Sequence, residues 1–106
     1  MGTVEGVLKE ELERLGEVEK GYREAIRKLP KGSLQQKHIK GYVYPYLVYR
    51  KESEVVSEYK GHFSPAELKK LEQDIELRRR YEKLLKEARE NKKKIMRMLY
   101  GKKRAV

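Results

Sequence analysis

Apolar side chains fall at Leu8, Leu12, Leu15, Tyr22, Ile26 and Leu29, with Val18 beside the slot that Glu19 occupies. Steps of three and four residues draw one apolar stripe along a helix, which is predicted over 4–29. The other faces alternate Glu with Lys and Arg, as a solvated helix surface does. Gly16 and Gly21 each weaken an exposed helix by ~1 kcal/mol relative to Ala, so the stretch between them is expected to be locally loose. Pro30 closes the helix, because the residue before a proline is pushed out of the helical region.

From Pro30 to Phe63 the helical spacing stops. Tyr, Val and Ile concentrate between Ile39 and Tyr59, and Gly32, Gly41 and Gly61 punctuate them. Tyr42, Tyr44, Tyr46, Tyr49 and Tyr59 lie here, whereas Tyr22, Tyr81 and Tyr100 lie in helical segments. β-Branched and aromatic residues between turn residues predict three strands, at 33–40, 42–50 and 54–60, so that the sheet covers 33–60. Lys40-Gly41 and Lys51-Glu52-Ser53 are the expected turns. Alternation along the second strand puts Tyr42, Tyr44, Tyr46, Val48 and Arg50 on one face and Val43, Pro45, Leu47 and Tyr49 on the other. The Val43/Leu47 face is the expected buried one. Pro45 has no backbone donor, so a central place for this strand requires a local irregularity there.

Ser64-Pro65-Ala66-Glu67 is a helix start: a capping Ser, a Pro in the first turn and a Glu three residues after the cap. Leu68, Leu71, Ile75, Tyr81, Leu84, Leu85, Ala88, Ile95 and Leu99 carry an apolar stripe onward, predicting a helix over 64–100 that spans ~50 Å at 1.5 Å per residue. Gly101 is the expected stop, and 102–106 reads as a basic tail on a single domain, 1–101. The predicted fold class is α+β: a helix, a small three-stranded antiparallel meander and a long helix. Each helix has one stripe to bury, so the two pair as an antiparallel coiled-coil-like hairpin with the sheet where they join. The overhang of the longer helix stays solvated or meets a second copy, which leaves a homodimer open.

Charge changes this picture most. The 106 residues carry 27 Lys+Arg against 17 Asp+Glu, a net charge of +10, with 42% charged and 38% hydrophobic residues. The excess is uneven: net −1 over 1–30, +3 over 31–63 and +8 over 64–106. From Asn91 onward there are seven Lys/Arg and no acidic residue. Three basic triplets recur: Arg78-Arg79-Arg80, Lys92-Lys93-Lys94 and Lys102-Lys103-Arg104. Such a surface suits the closely spaced phosphates of a nucleic acid, where cations gain affinity by releasing condensed counterions. Consecutive triplets wrap round a helix, giving a collar. The alternative is a solvated helix laced by i,i+4 pairs such as Glu82–Lys86 and Glu90–Lys94, a reading that weakens after Asn91, where no acid remains. Abundant Lys and Glu, one Asn, three Gln and no Cys or Trp also match thermophile usage.

The run from Lys37 to Arg50 interleaves cations with aromatics. If Tyr42, Tyr44 and Tyr46 face outward between Lys40 and Arg50, they can stack on bases while the cations hold phosphates; a small sheet can also enter a groove of duplex DNA. The alternative is cross-strand packing, in which the tyrosines stabilise the sheet.

The string LPKGSL…IKGYVYPYLVYR…SEYKG, from Leu29 to Gly61, resembles a family of small uncharacterised archaeal and bacterial proteins. Their pattern is Leu-Pro-x-Gly-Ser, a basic Ile-x-Gly, a tyrosine-rich strand ending Tyr-Arg, and Ser-x-Tyr-x-Gly. The resemblance covers about a third of the chain and implies flanking helices but no activity. Pro45 departs from it, since an aromatic is usual there. The strand pattern is also similar, at the level of fold, to three-stranded DNA-binding domains of tyrosine recombinases and transposases, which shifts the expectation toward a DNA partner; an archaeal chromosome or a mobile element is the setting expected with it.

Other chemistry is thin. His38 and His62 have no Cys and no spacing that would hold a metal. Gly101-Lys102 lacks a P-loop around it. Ser33, Ser53, Ser57 and Ser64 fall at strands, turns and a cap, and no Glu sits in an apolar run that would raise its pKa for acid–base work. No apolar run approaches a membrane span, and no signal-peptide core is present. The expectation is a cytoplasmic, non-enzymatic protein without cofactor, metal, membrane or small-molecule substrate, binding nucleic acid, with DNA favoured over RNA. The expected contacts are Lys40, Tyr42, Tyr44, Tyr46, Arg50, Arg78, Arg79, Arg80, Lys92, Lys93, Lys94, Arg97, Lys102, Lys103 and Arg104. A protein-interaction module or homodimeric scaffold using the tyrosine-rich sheet is the alternative, followed by an RNA- or ribosome-associated role.

Overall fold

The computed structural model describes residues 3–101. The elements run α1 (Val4–Arg27), β1 (Ser33–Ile39), β2 (Tyr42–Lys51), β3 (Glu54–Tyr59) and α2 (Pro65–Tyr100). The α+β order is the one the pattern predicts. The chain divides into two compact units. One contains α1 and α2 from Arg80 on; the other is residues 28–79, with the sheet and the first half of α2.

In the first unit α1 and α2 lie antiparallel and pack along matching seams. Leu8, Leu12, Leu15, Glu19, Tyr22 and Ile26 step by four and three along α1, as do Tyr81, Leu85, Ala88, Lys92, Ile95 and Leu99 along α2. Each step of four followed by a step of three makes seven residues, the heptad repeat that keeps one seam facing a partner helix. Leu15, Ala88 and Ile95 are buried, with Leu8, Leu12 and Leu99 packed on them. Tyr22 and Tyr81 meet at 5.8 Å between ring centroids. α1 runs unbroken through Gly16 and Gly21 rather than loosening between them. Thr3 caps its start, with Oγ1 accepting from the Gly6 N–H at 2.9 Å, and it ends two residues earlier than predicted, at Arg27.

In the second unit the strands form an antiparallel meander in the order β1-β2-β3. The β1–β2 turn is Lys40-Gly41, with φ of 50° and 82°, the two positive values of a type I′ hairpin. It sets the register from Ile39↔Tyr42 to Ser33↔Val48. Across Glu52-Ser53, where Glu52 has φ 57°, β3 pairs from Lys51↔Glu54 to Tyr46↔Tyr59. Pro45 fits because the Lys60 N–H donates to its carbonyl at 2.9 Å. The backbone of Pro45 therefore points toward β3, and the donor it lacks falls where β3 ends, so no bond to β1 is lost.

Leu47 is buried on the Val43/Leu47 face, as expected, but Val43 at its far end is 49% exposed. The first half of α2 supplies Ile75, the most buried residue described, at 3% exposure. The length of α2 beyond its pairing with α1 is thus partly buried in the sheet unit rather than wholly solvated. Its start is the predicted capping box: the Glu67 N–H donates to Ser64 Oγ at 3.1 Å, and the Ser64 N–H donates to Glu67 Oε1 at 2.8 Å.

Two glycines should respond in opposite directions. Gly32 has φ 114°, and a Cβ there would lie 2.4 Å from the Val48 carbonyl oxygen. G32A should therefore destabilise the chain by more than about 1 kcal/mol. A Cβ at Gly21, in α1, would meet nothing within 4 Å, so G21A should stabilise by up to ~1 kcal/mol. Urea denaturation of the two variants reads both signs.

Candidate nucleic-acid interface

Neither of the two basic triplets among the described residues forms an even collar of free cations. In the first, Arg78 is half-buried and its Nη1 donates to the Leu29 carbonyl at 2.7 Å. Arg79 Nη2 donates to the Gly32 carbonyl at 3.0 Å. Both guanidinium groups hold the chain that enters β1, within the second unit. Arg80 is exposed and belongs to the first unit.

In the second triplet Lys92 sits in the seam and turns to Glu19, with Nζ 3.4 Å from Oε1. Glu19 is buried and also accepts a close hydrogen bond from Arg23 Nη2. Burial works against ionisation of Glu19, yet the hydrogen bonds and charges of Arg23 and Lys92 outweigh it and hold the carboxyl below the usual range. Lys93 and Lys94 are exposed, as is Arg97. Among the described residues none of these three pairs with a carboxylate; the Glu90–Lys94 spacing does not close, whereas Lys70–Asp74 does at 2.8 Å. The third triplet, Lys102, Lys103 and Arg104, lies outside the described residues.

Arg89 is a cation that the triplets hid. Arg89, Lys93 and Arg97 recur at i, i+4 and i+8, so they line one flank of α2 beside the seam. Glu19, Lys92 and half-buried Met96 share the same shallow hollow. Arg80, nine residues before Arg89, lies about 180° round the helix at ~100° per residue and does not join the flank. The signal for Arg89 is the four-residue spacing, which a search for consecutive cations overlooks.

On the sheet, Tyr42, Tyr44 and Tyr46 do face away from Leu47. Tyr42 is 68% exposed; Tyr44 and Tyr46 are half-buried among neighbouring rings. Lys40 stands exposed at the turn and Arg50 exposed near the other end of β2. The register adds two residues that strand-by-strand reading missed. Tyr59 lies opposite Tyr46, with ring centroids 5.4 Å from Tyr46 and 6.3 Å from Tyr44. Lys37 Nζ lies 4.3 Å from the Tyr46 ring centroid, a cation–π contact. Both follow once the two turns are taken as two-residue hairpins, because the turn then fixes every cross-strand partner.

On the opposite face the Tyr49 hydroxyl donates to Glu58 Oε1, and Lys60 Nζ lies 3.1 Å from Glu58 Oε2. The hydroxyl and then the Lys60 ammonium lower the Glu58 pKa. His62 is exposed and stacks edge-on against Phe63 at 4.8 Å. Among the described residues no group of acidic or His side chains is placed to hold a metal, and no helix is long and apolar enough to cross a membrane.

Comparison with known proteins returns no match, whether against family models, curated proteins or solved structures. The functional reading therefore rests on the residues themselves.

The Glu19 cluster makes acid sensitivity predictable. A folded-state pKa below the unfolded one stabilises above the unfolded value of about 4.3 and is lost as pH falls through the folded value. The melting-temperature gap between the wild type and E19Q should be widest near neutral pH and close in acid. A gap that does not change with pH would show that the carboxylate is not held by ion pairing.

Proposed function

We propose that this chain is a non-catalytic nucleic-acid-binding protein acting in the cytoplasm, with DNA the favoured polymer. The observation that carries the reading is the flank Arg89, Lys93 and Arg97, with exposed Lys94 beside it and no carboxylate paired to any of them among the described residues. Unpaired cations in a row are available to displace counterions from phosphates, whereas an i,i+4-laced helix has already neutralised itself. The sheet supports the same reading through Lys40, Tyr42, Tyr44, Tyr46 and Arg50. DNA is favoured here only as the polymer that the resemblance of the strand pattern implies.

A second reading has its own support. Ile39, Tyr42, Val55 and Tyr59 are all about half exposed or more, and aromatic side chains with Arg nearby are common anchors at protein interfaces. A dimer that binds no DNA or RNA at physiological salt would favour it.

The test is binding of labelled duplex DNA across a salt series. K93Q with R97Q should lower the slope of log K against log salt by about 1.8, since each phosphate left unneutralised removes ~0.9. K92Q should leave the slope close to wild type but lower the melting temperature, since Lys92 serves Glu19. An unchanged slope in the double variant removes the flank from the interface.

A further inference from the structure

The strands' outward face is chemically one-sided. It includes Lys37 of β1, Tyr42, Tyr44, Tyr46 and Arg50 of β2, and Tyr59 of β3, as register and alternation require. It holds four tyrosines and two cations and no carboxylate; the acids of the strands, Glu54 and Glu58, fall on the other face. The rings form a continuous chain, with Tyr42–Tyr44 at 6.4 Å, Tyr44–Tyr59 at 6.3 Å and Tyr46–Tyr59 at 5.4 Å between centroids, each pair tilted by 49–53°. Tyr44 and Tyr46 are hemmed by their neighbours, whereas Tyr42 and Tyr59 present 68% and 50% of their surface.

From this we infer that the outward face of the sheet is a stacking platform for a single strand of DNA, with Tyr42 and Tyr59 each receiving an unpaired base. The inference deepens the nucleic-acid reading and rests on it. Duplex DNA keeps its base faces inside the stack and offers only their edges, which exposed tyrosine rings cannot stack on. An unpaired strand offers each base's π-face, and stacking is tolerant of sequence because every base has one. Lys37, Lys40 and Arg50 complement the backbone charge around the rings. The absence of acids from this face removes the repulsion that a polyanion would otherwise meet.

Gly61 underlies the Tyr59 ring without belonging to the stacking face. A Cβ at residue 61 would fall 1.8 Å from the Tyr59 hydroxyl oxygen, so the Tyr59 ring folds over a position that only glycine leaves open. G61A must therefore swing the ring away from its place beside Tyr44 and Tyr46 without changing any residue of the platform.

The experiment compares oligo(dT), a DNA hairpin duplex and oligo(rU) of matched length at ~0.15 M salt, with the full chain. Because the protein has eight Tyr and no Trp, the part of the tyrosine quenching that Y42A and Y59A remove reports ring stacking on this face. The expected result is tighter binding of oligo(dT) than of the hairpin, with quenching. Y42A and Y59A should each weaken oligo(dT) binding about fivefold or more, as loss of one stacked base does. Y42F and Y59F should retain it, and G61A should weaken it like Y59A. Far-UV circular dichroism on each variant shows whether it has folded, and Y42A, at an exposed site, decides the matter if Y59A has not. Hairpin binding equal to or tighter than oligo(dT), indifferent to Y42A, overturns the platform while the phosphate reading of α2 stands. Preference for oligo(rU) overturns the choice of DNA. Failure of all three probes to bind overturns the nucleic-acid reading and this inference with it.

Discussion

The scarcity of apolar side chains governs everything else in this molecule. With 38% hydrophobic and 42% charged residues, each element can cover one face and no more. Only six apolar residues, Leu15, Leu47, Ile75, Leu85, Ala88 and Ile95, are buried among those described. The same shortage leaves the outer flank of α2 and the outward face of the sheet bare. What such faces carry is then open to selection for something other than packing. Among the described residues one carries cations without a carboxylate partner and the other tyrosines without acids.

The seam between α1 and α2 shows how charge is used where it is not on the surface. Glu19 and Lys92 occupy positions that the 3.5-residue repeat reserves for apolar side chains. A buried ion pair adds little net stability, because desolvation offsets much of the attraction, but a polar pair in a coiled seam can fix its register. Sliding either helix by one turn would set Glu19 against apolar seam residues and strand an ionised carboxylate. Lys92 is about a third exposed at its side chain, so its ammonium keeps part of its hydration while it meets Glu19. The pair can therefore select one alignment without burying two full charges.

How much of this could be read from sequence depended on whether a property is local. The capping box at Ser64 and Glu67, the Lys40-Gly41 turn and the helical stripes are local, and they were legible. The orientation of Tyr42, Tyr44 and Tyr46 was legible too, through period two. The problem posed by Pro45 was visible, but its solution needed β3 to end beside it. That Arg78 and Arg79 each hold a carbonyl some 47–49 residues away leaves no mark on a triplet and was not legible. Glu19 was visible as a misfit in the stripe, while its partner Lys92 was masked by being one of three lysines in a row. Lys37 and Tyr59 join the face of Tyr42, Tyr44 and Tyr46 only through cross-strand register.

The two bare faces obey different physics. A cationic flank binds by counterion release, so its contribution falls steeply with salt. A stack of a base on a tyrosine ring buries apolar area and depends little on ionic strength. The flank belongs to one compact unit and the rings to the other. At low salt the flank would dominate and any polyanion would serve. As salt rises, stacking on the rings would keep its strength, and discrimination by form of nucleic acid would come from them. A strongly basic chain would then be selective through its tyrosines, with its net charge setting the rate of encounter.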